Sequence, residues 1–369
     1  MKRSKWESNA FLYAMVLFIA LSFWSCFEEV KIPPGSDLPP LHSNGNYYIS
    51  GTSREAIGAP IATLWKNGIA INLPASYPDA TVHSSAGFGM AVSGKDVYVC
   101  GAIYTSLGTY PVYWKNGQAI LLTPGTGEAR AIAVVGLDVY VAGVISNDNG
   151  SLYGVIWKNG IGTNLTAGEI QSVAQALVVS GNNVYAGGSL VKEGKTYGAY
   201  WKNGNPVLVS SGDNYAEVRS LAVKGGTVYT AGIETGDPVG KYWKNAEAVT
   251  LTDGSSKVIV SAVHTAGHDV YVAGTKYNGI NAVEMIVWKN NNIITTTPLN
   301  ANDLLVSNIK ALNGKVLVTG SIIYRNDDSS VYGDATVWIN GAPSTLDQGA
   351  DGSHVFFANS IEVISGNHH

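Results

Sequence analysis

Polar side chains recur at one slot of a repeated strand: Arg130, Gln175, Arg219 and Asn359, with Ser261 and Ser307 in the same slot of other copies. Three residues further along, where two copies carry Ala91 and Ala133, others have His264 and Lys310, and Glu362 lies nearby. A guanidinium makes bidentate contacts to carboxylate or sulfate groups, and amide, ammonium and carboxylate groups add hydrogen bonds and charge. If these strands surround a channel, Arg130, Gln175, Arg219, His264, Lys310, Asn359 and Glu362 line its mouth and can hold a ligand. Solvation by channel water is the plainer alternative.

Catalytic signatures are absent. There is no H-E-x-x-H, no phosphate-binding glycine loop and no nucleophile elbow, nor the Ser-x-Asp-x-Gly-x-Thr-Trp box of sialidase propellers. Paired carboxylates for glycoside cleavage can come from distant parts of a chain, so an enzyme stays open as an alternative. No cofactor is implied. His83, His354, His368 and His369 make no metal-ligand spacing, and Asn147-Asp148-Asn149-Gly150 and Asn326-Asp327-Asp328 have calcium-suited oxygens without the full loop pattern. Cys100 replaces the alanine of Ala142 and Ala273 and reads as a buried thiol. A formal net charge of −4 gives no electrostatic reason to expect nucleic acid.

The frame that positions these residues is a repeat. Tryptophans at 65, 114, 157, 201, 243, 288 and 338 are spaced by 49, 43, 44, 42, 45 and 50 residues, each followed two residues later by asparagine. Such a period indicates a propeller or similar array. In one copy, Ala131–Val135 is a short apolar run, Gly136-Leu137-Asp138 a turn, Val139-Tyr140-Val141 a second strand ended by Gly143, Val155-Ile156-Trp157 a third, and Gly162–Thr166 a fourth after Asn159-Gly160. Asn-Gly is the strongest short hairpin signal, because both central residues of the favoured turn need positive φ. Apolar residues on both faces of the third strand require cover on both sides. The fold expected is all-β: a seven-bladed propeller of four-stranded antiparallel blades, one blade closed by both termini. Asn46–Gly51 reads as a second strand lacking its first, and Ser360–Asn367 as a first strand lacking its second.

Before the repeats, Lys2, Arg3 and Lys5 precede an apolar run, Ala10–Trp24, of 15 residues. That describes a secretory signal, because a spanning helix takes about 20 apolar residues. Residues 1–25 are therefore read as signal peptide, 26–45 as a proline-rich tether and 46–369 as one propeller domain.

Two resemblances follow. Ser25-Cys26 resembles the lipidation site of bacterial lipoproteins, although Phe23 and Trp24 depart from the usual pattern, and Phe27-Glu28-Glu29 resembles the acidic export signal of Bacteroidota lipoproteins. They imply lipidation at Cys26, a membrane partner through that anchor, and residence on the outer membrane and cell surface. Gly-x-x-Val-Tyr-Val-x-Gly resembles the second strand of kelch repeats; it implies architecture, with the first strand innermost, and no activity.

The tight turns should share one rim and the second-to-third loops and inter-blade connections the other. The latter vary among copies (Thr52–Pro60, Ala102–Tyr110, Ser189–Tyr197 and Ser321–Asp334) and carry Tyr104, Tyr110, Tyr153, Tyr197, Tyr277 and Tyr324 as a possible aromatic platform. On the turn rim, Lys66, Lys115, Lys158, Lys202, Lys244 and Lys289 form a ring that either attracts an anion or keeps strand ends soluble. The function expected is an anchored binding or scaffold module for a glycan or envelope protein. A carbohydrate-active enzyme and a structural spacer are the alternatives.

Overall fold

The computed structural model describes residues 45–54, 59–122, 125–147, 149–167, 170–299, 301–325, 331–347 and 356–365. The signal segment, Cys26 and the tether lie outside the described residues.

All regular structure among the described residues is antiparallel strand. The strands pair as five four-stranded sheets and one eight-stranded sheet. The larger sheet is two four-stranded sets joined at one point, Gly232 opposite Val260. The cause is local: Thr227–Glu234 pairs with the short strand Lys241–Lys244 only through Tyr229 and Thr230, which leaves its far half free to meet the next set. The strands thus form seven blades, numbered here in chain order. Blade 1 joins Phe357–Ser365 to Gly45–Arg54, with Tyr48 opposite Glu362 and Ile49 opposite Ile361. This is the predicted stitching of the two ends.

The first strand of each blade is innermost. Val82–Ser93, Thr126–Val135, Ser172–Ser180, Ala216–Lys224, Val258–Ala266, Asp303–Leu312 and Phe357–Ser365 touch in succession, and the last touches the first. The ring is closed, and the fold is a β-propeller.

Each neighbouring pair of blades encloses its own apolar core. Ile49 and Trp65 pack with Leu317 and Val337 between blades 7 and 1, whereas Tyr48 and Leu64 pack with Met90 and Trp114 between blades 1 and 2. The other five interfaces repeat this arrangement. All seven repeat tryptophans are buried in these cores. Trp114 donates Nε1–H to the Pro74 carbonyl at 2.7 Å, while the indole nitrogens of Trp65, Trp201, Trp288 and Trp338 have no hydrogen-bond partner. An unmet buried donor costs about 1–3 kcal/mol. Burying roughly 200 Å² of indole at ~25 cal/mol/Å² contributes about 5 kcal/mol, so packing outweighs the loss.

The repeat asparagine has two roles. Asn67, Asn116, Asn159, Asn203, Asn245, Asn290 and Asn340 all have φ between 49° and 52°, as the hairpin turn requires. Each also staples that turn to the second strand: Asn159 Oδ1 accepts from Val139 N at 2.9 Å, and its own N–H donates to the Val139 carbonyl at 2.8 Å. Glycine could adopt the turn but could not make the side-chain bond.

The third repeated device sets the channel. Every inner strand carries a β-bulge, as between Ala129 and Ala131, Ala174 and Ala176, Val218 and Ser220, and Val260 and Ala262. Blades 7, 1 and 2 have theirs between Val306 and Asn308, Ala358 and Ser360, and Gly87 and Met90. Opposite each bulge is the glycine that ends the repeated second-strand phrase: Gly51, Gly101, Gly143, Gly188, Gly232, Gly274 or Gly320. A Cβ there would overlap the carbonyl two residues before the bulge, for example Glu128 O at Gly143 and Val173 O at Gly188. The requirement is space for a backbone oxygen. Gly143→Ala should therefore destabilise the protein by on the order of 3 kcal/mol, as an overpacked core position. Denaturant titration checks this, and a loss within about 0.5 kcal/mol, the range of neutral surface changes, contradicts the steric account.

Candidate functional site

A bulge inserts one unpaired residue and re-aims its side chain. Those residues are Arg130, Gln175, Arg219, Ser261, Ser307 and Asn359, with Phe88-Gly89 in blade 2. They lie inside the inner strands, where the ladder shifts register.

The structure joins three of the expected site residues to carboxylates that the sequence reading passed over. Arg130 donates from Nε and Nη2 to Glu128 Oε2 at 3.1 and 2.9 Å. Arg219 Nε donates to Glu217 Oε2 at 3.3 Å, and Gln175 Nε2 to Glu217 Oε1 at 2.6 Å, so one carboxylate binds blade 4 to blade 5. Glu217 is buried, and the other members of the group are partly exposed. Tyrosines extend the network onto the loop-rich rim: Tyr104 Oη donates to Glu128 Oε1 at 3.3 Å, and Tyr277 Oη to Asp303 Oδ1 at 2.8 Å. Burial, then the neighbouring carboxylate, pushes Tyr104, Tyr215 and Tyr277 well up, so all three stay protonated donors. Tyr215 also feels the charges of Glu217, Arg219 and Arg130.

The other four expected residues sit elsewhere. Asn359 Nδ2 donates to the Gly87 carbonyl at 2.8 Å, tying blade 1 to blade 2. Lys310 Nζ meets Glu362 Oε1 at 2.8 Å across blades 7 and 1. His264 lies close enough to Lys310 to feel its charge. His264, Lys310 and Glu362 form a separate lower tier on blades 6, 7 and 1.

Half of the lysine ring is paired with aspartate. Lys115, Lys158 and Lys289 pair with Asp96, Asp138 and Asp269 at 3.0, 2.8 and 2.8 Å. Lys66, Lys115, Lys158, Lys202 and Lys289 also lie over the tyrosine of the adjoining second strand, at 5.2–5.7 Å from the ring centroid. Their first role is to hold the turn.

On the opposite rim Tyr110 stacks on Tyr77, with ring centroids 3.9 Å apart. Tyr153 accepts from Asn147, and Tyr197 packs over Gly212. The rim segments Thr52–Pro60 and Ser321–Asp334 fall partly outside the described residues. Asn147 spends Oδ1 on the N–H groups of Asn149 and Ser151, and Asn326-Asp327-Asp328 lies outside the described residues. Cys100 is fully buried, and burial pushes its thiol up to about 12, which keeps it protonated and unreactive.

Closure of the ring of inner strands defines the class, a β-propeller. No family model matches the chain, and no curated protein matches it. Among solved structures it is similar to the β-propeller domain of the trilobed protease from Pyrococcus furiosus, at 9% identity and a TM-score of 0.45, covering 83% of this chain and 95% of that one. It is also similar to Pyrococcus horikoshii acylaminoacyl peptidase, at 10% identity and a TM-score of 0.45, covering 85% of this chain and 52% of that one. A subtype N11 neuraminidase-like protein of A/flat-faced bat/Peru/033/2010 is similar at 9% identity and a TM-score of 0.41, covering 71% and 87%.

Burial, then the charge of Lys310, pushes His264 down from 6.5 to about 4. The unfolded chain takes up this proton near pH 6.5 and the folded chain only near pH 4, so stability is lost as pH falls through that window. At 1.36 kcal/mol per unit the loss approaches about 3 kcal/mol. His264→Gln should flatten the melting temperature between those limits; an unaltered slope contradicts the placement of His264 as a partly buried neutral group.

Proposed function

We propose that this protein is an envelope-anchored binding module that engages a glycan or an envelope protein through the loop-rich rim and channel mouth. The observation that carries the reading is a pair of hydrogen-bonded sets, Glu128–Arg130 and Gln175–Glu217–Arg219, with the Tyr104 hydroxyl on Glu128. Locked rotamers on a rigid ring are pre-organised for recognition. The same bonds weigh against the hydrolase alternative. Glu217 has both oxygens engaged and is 5% exposed, and Glu128 is held by Arg130 and Tyr104, so neither is set up as a free acid or base.

The export and anchoring part of the reading rests on Ser25-Cys26-Phe27-Glu28-Glu29 and the apolar run before it. The protein is read as a kelch-like lipoprotein of the Bacteroidota type, exported, held on the outer membrane by acyl chains on Cys26 and displayed on the cell surface. Each buried methylene adds ~0.8 kcal/mol, so several chains make a durable anchor.

Capture of envelope components on the purified full-length protein tests the binding face. Arg130→Ala/Arg219→Ala should lose the captured partner, while alanine at Lys115, Lys158 and Lys202 should keep it; the reverse result assigns binding to the turn rim. For the anchor, Cys26→Ser should release the protein from membranes or leave its signal uncleaved. Wild-type protein that fractionates as soluble and carries no acyl group would sink the lipoprotein reading.

A further inference from the structure

The channel mouth has two unlike halves. Glu128 and Glu217 occupy the inner-strand position two residues before the bulge. In blades 6, 7 and 1 the same position holds Ile259, Leu305 and Phe357, and in blade 2 the bulge itself holds Phe88. All four are partly exposed, and Leu305 reaches 36%. Inner strands are covered by a neighbouring blade on each side, so this exposure opens at the mouth. Blades 3 to 5 therefore present a charged and amide-bearing arc interrupted by Val173, and blades 6, 7, 1 and 2 carry Ile259, Leu305, Phe357 and Phe88 beside the small or uncharged bulge residues Ser261, Ser307 and Asn359.

We propose that the mouth takes the terminal sugar of an uncharged glycan. Its hydroxyl edge rests on the Glu128–Arg130 and Gln175–Glu217–Arg219 arc, and its C–H face rests on Phe88, Phe357 and Leu305. This rests on the binding reading above and selects one branch of it.

Charge excludes an acidic ligand. Arg130 is compensated by Glu128 and Arg219 by Glu217, and Asp303 adds a further negative group behind Tyr277. An anion would meet no net positive field and would have to part an arginine from its carboxylate, which leaves a partly buried charge unpaired. A sugar hydroxyl both donates and accepts. It can take a hydrogen from the unengaged Nη groups of Arg219 and give one to a carboxylate oxygen without breaking either pair. The apolar arc decides against purely polar ligands, because partly exposed Phe, Leu and Ile gain from contact with hydrocarbon. Ligand sites combine an apolar lining with a few fixed polar groups in this way. An apolar peptide end would cover the polar arc without answering its hydrogen bonds.

The test is calorimetric titration of the full-length protein in detergent. The probes are uncharged gluco-, galacto-, manno- and fuco-configured oligosaccharides, their uronate and sulfated counterparts, and neutral peptides with apolar ends. At least one uncharged oligosaccharide should bind saturably, with its charged counterparts about tenfold weaker. Phe357→Ala and Arg219→Lys should each weaken it about tenfold with the melting temperature held; the lysine keeps a charge for Glu217 but loses the planar fork. If Phe357→Ala fails to fold, Leu305→Ser, at a more exposed site, replaces it. The inference is overturned if no uncharged oligosaccharide binds, if the charged forms or the peptides bind better, or if binding survives both substitutions. A partner captured by the full-length protein but indifferent to Phe357 and Arg219 would defeat the glycan assignment and leave the broader reading standing. No capture and no binding would defeat both.

Discussion

The structure depends on one contact that cannot tolerate a carbon atom. In all seven blades a carbonyl of the inner strand turns into the space where the second-strand glycine has no Cβ. That turn is the bulge, and it breaks the inner strand's alternation so that the inserted residue is re-aimed. Without it, Arg130, Gln175 and Arg219 would follow the ordinary pleat. One missing side chain per blade thus fixes where an extra, unpaired residue enters each inner strand.

The remaining repeated devices make the wheel indifferent to what the bore contains. Tryptophan fills each inter-blade core, and asparagine locks each outer hairpin to the second strand. Both act away from the axis. The inner-strand positions are accordingly free to differ from blade to blade, and they do: arginine, glutamine, serine and asparagine occupy equivalent bulges. Direct bonds across inner strands, such as Gln175 to Glu217, Asn359 to Gly87 and Lys310 to Glu362, then use that freedom to tie particular neighbours together.

Most of the frame was legible in the sequence, because its causes are local and repeated. Trp-x-Asn at a fixed period marks the third strand and its hairpin, and the unmatched strands near 46 and 361 announce the closure that Tyr48 and Glu362 complete. The site was legible only in part. Arg130, Gln175 and Arg219 stood out as polar residues in apolar strands, but their bulge was hidden, since register is a property of the pair of strands. Glu128 and Glu217 were passed over, although Glu-x-Arg at 128–130 and at 217–219 was available as a signal for an opposite-charge pair. Tyr215 and Tyr277 join them from rim positions whose neighbours are set by ring closure. The bridge of Gly232 to Val260 was illegible for a similar reason: it arises from the brevity of Lys241–Lys244.

Blade 1 gives the molecule an order of events. Six blades pair strands adjacent in sequence, whereas Gly45–Arg54 must find Phe357–Ser365 about 300 residues away. Contacts between distant segments form late because the chain must be closed before they contribute. Phe357 and Asn359 are on that late strand, while Glu128, Arg130 and Gln175 are on strands that need no distant partner. The mouth therefore runs on two clocks: the charged arc and the apolar Phe88, Ile259 and Leu305 sit on strands that pair locally, and Phe357 and Asn359 arrive only with the locking strand. Competence to hold a two-sided ligand is in this way a report that the ring has been completed.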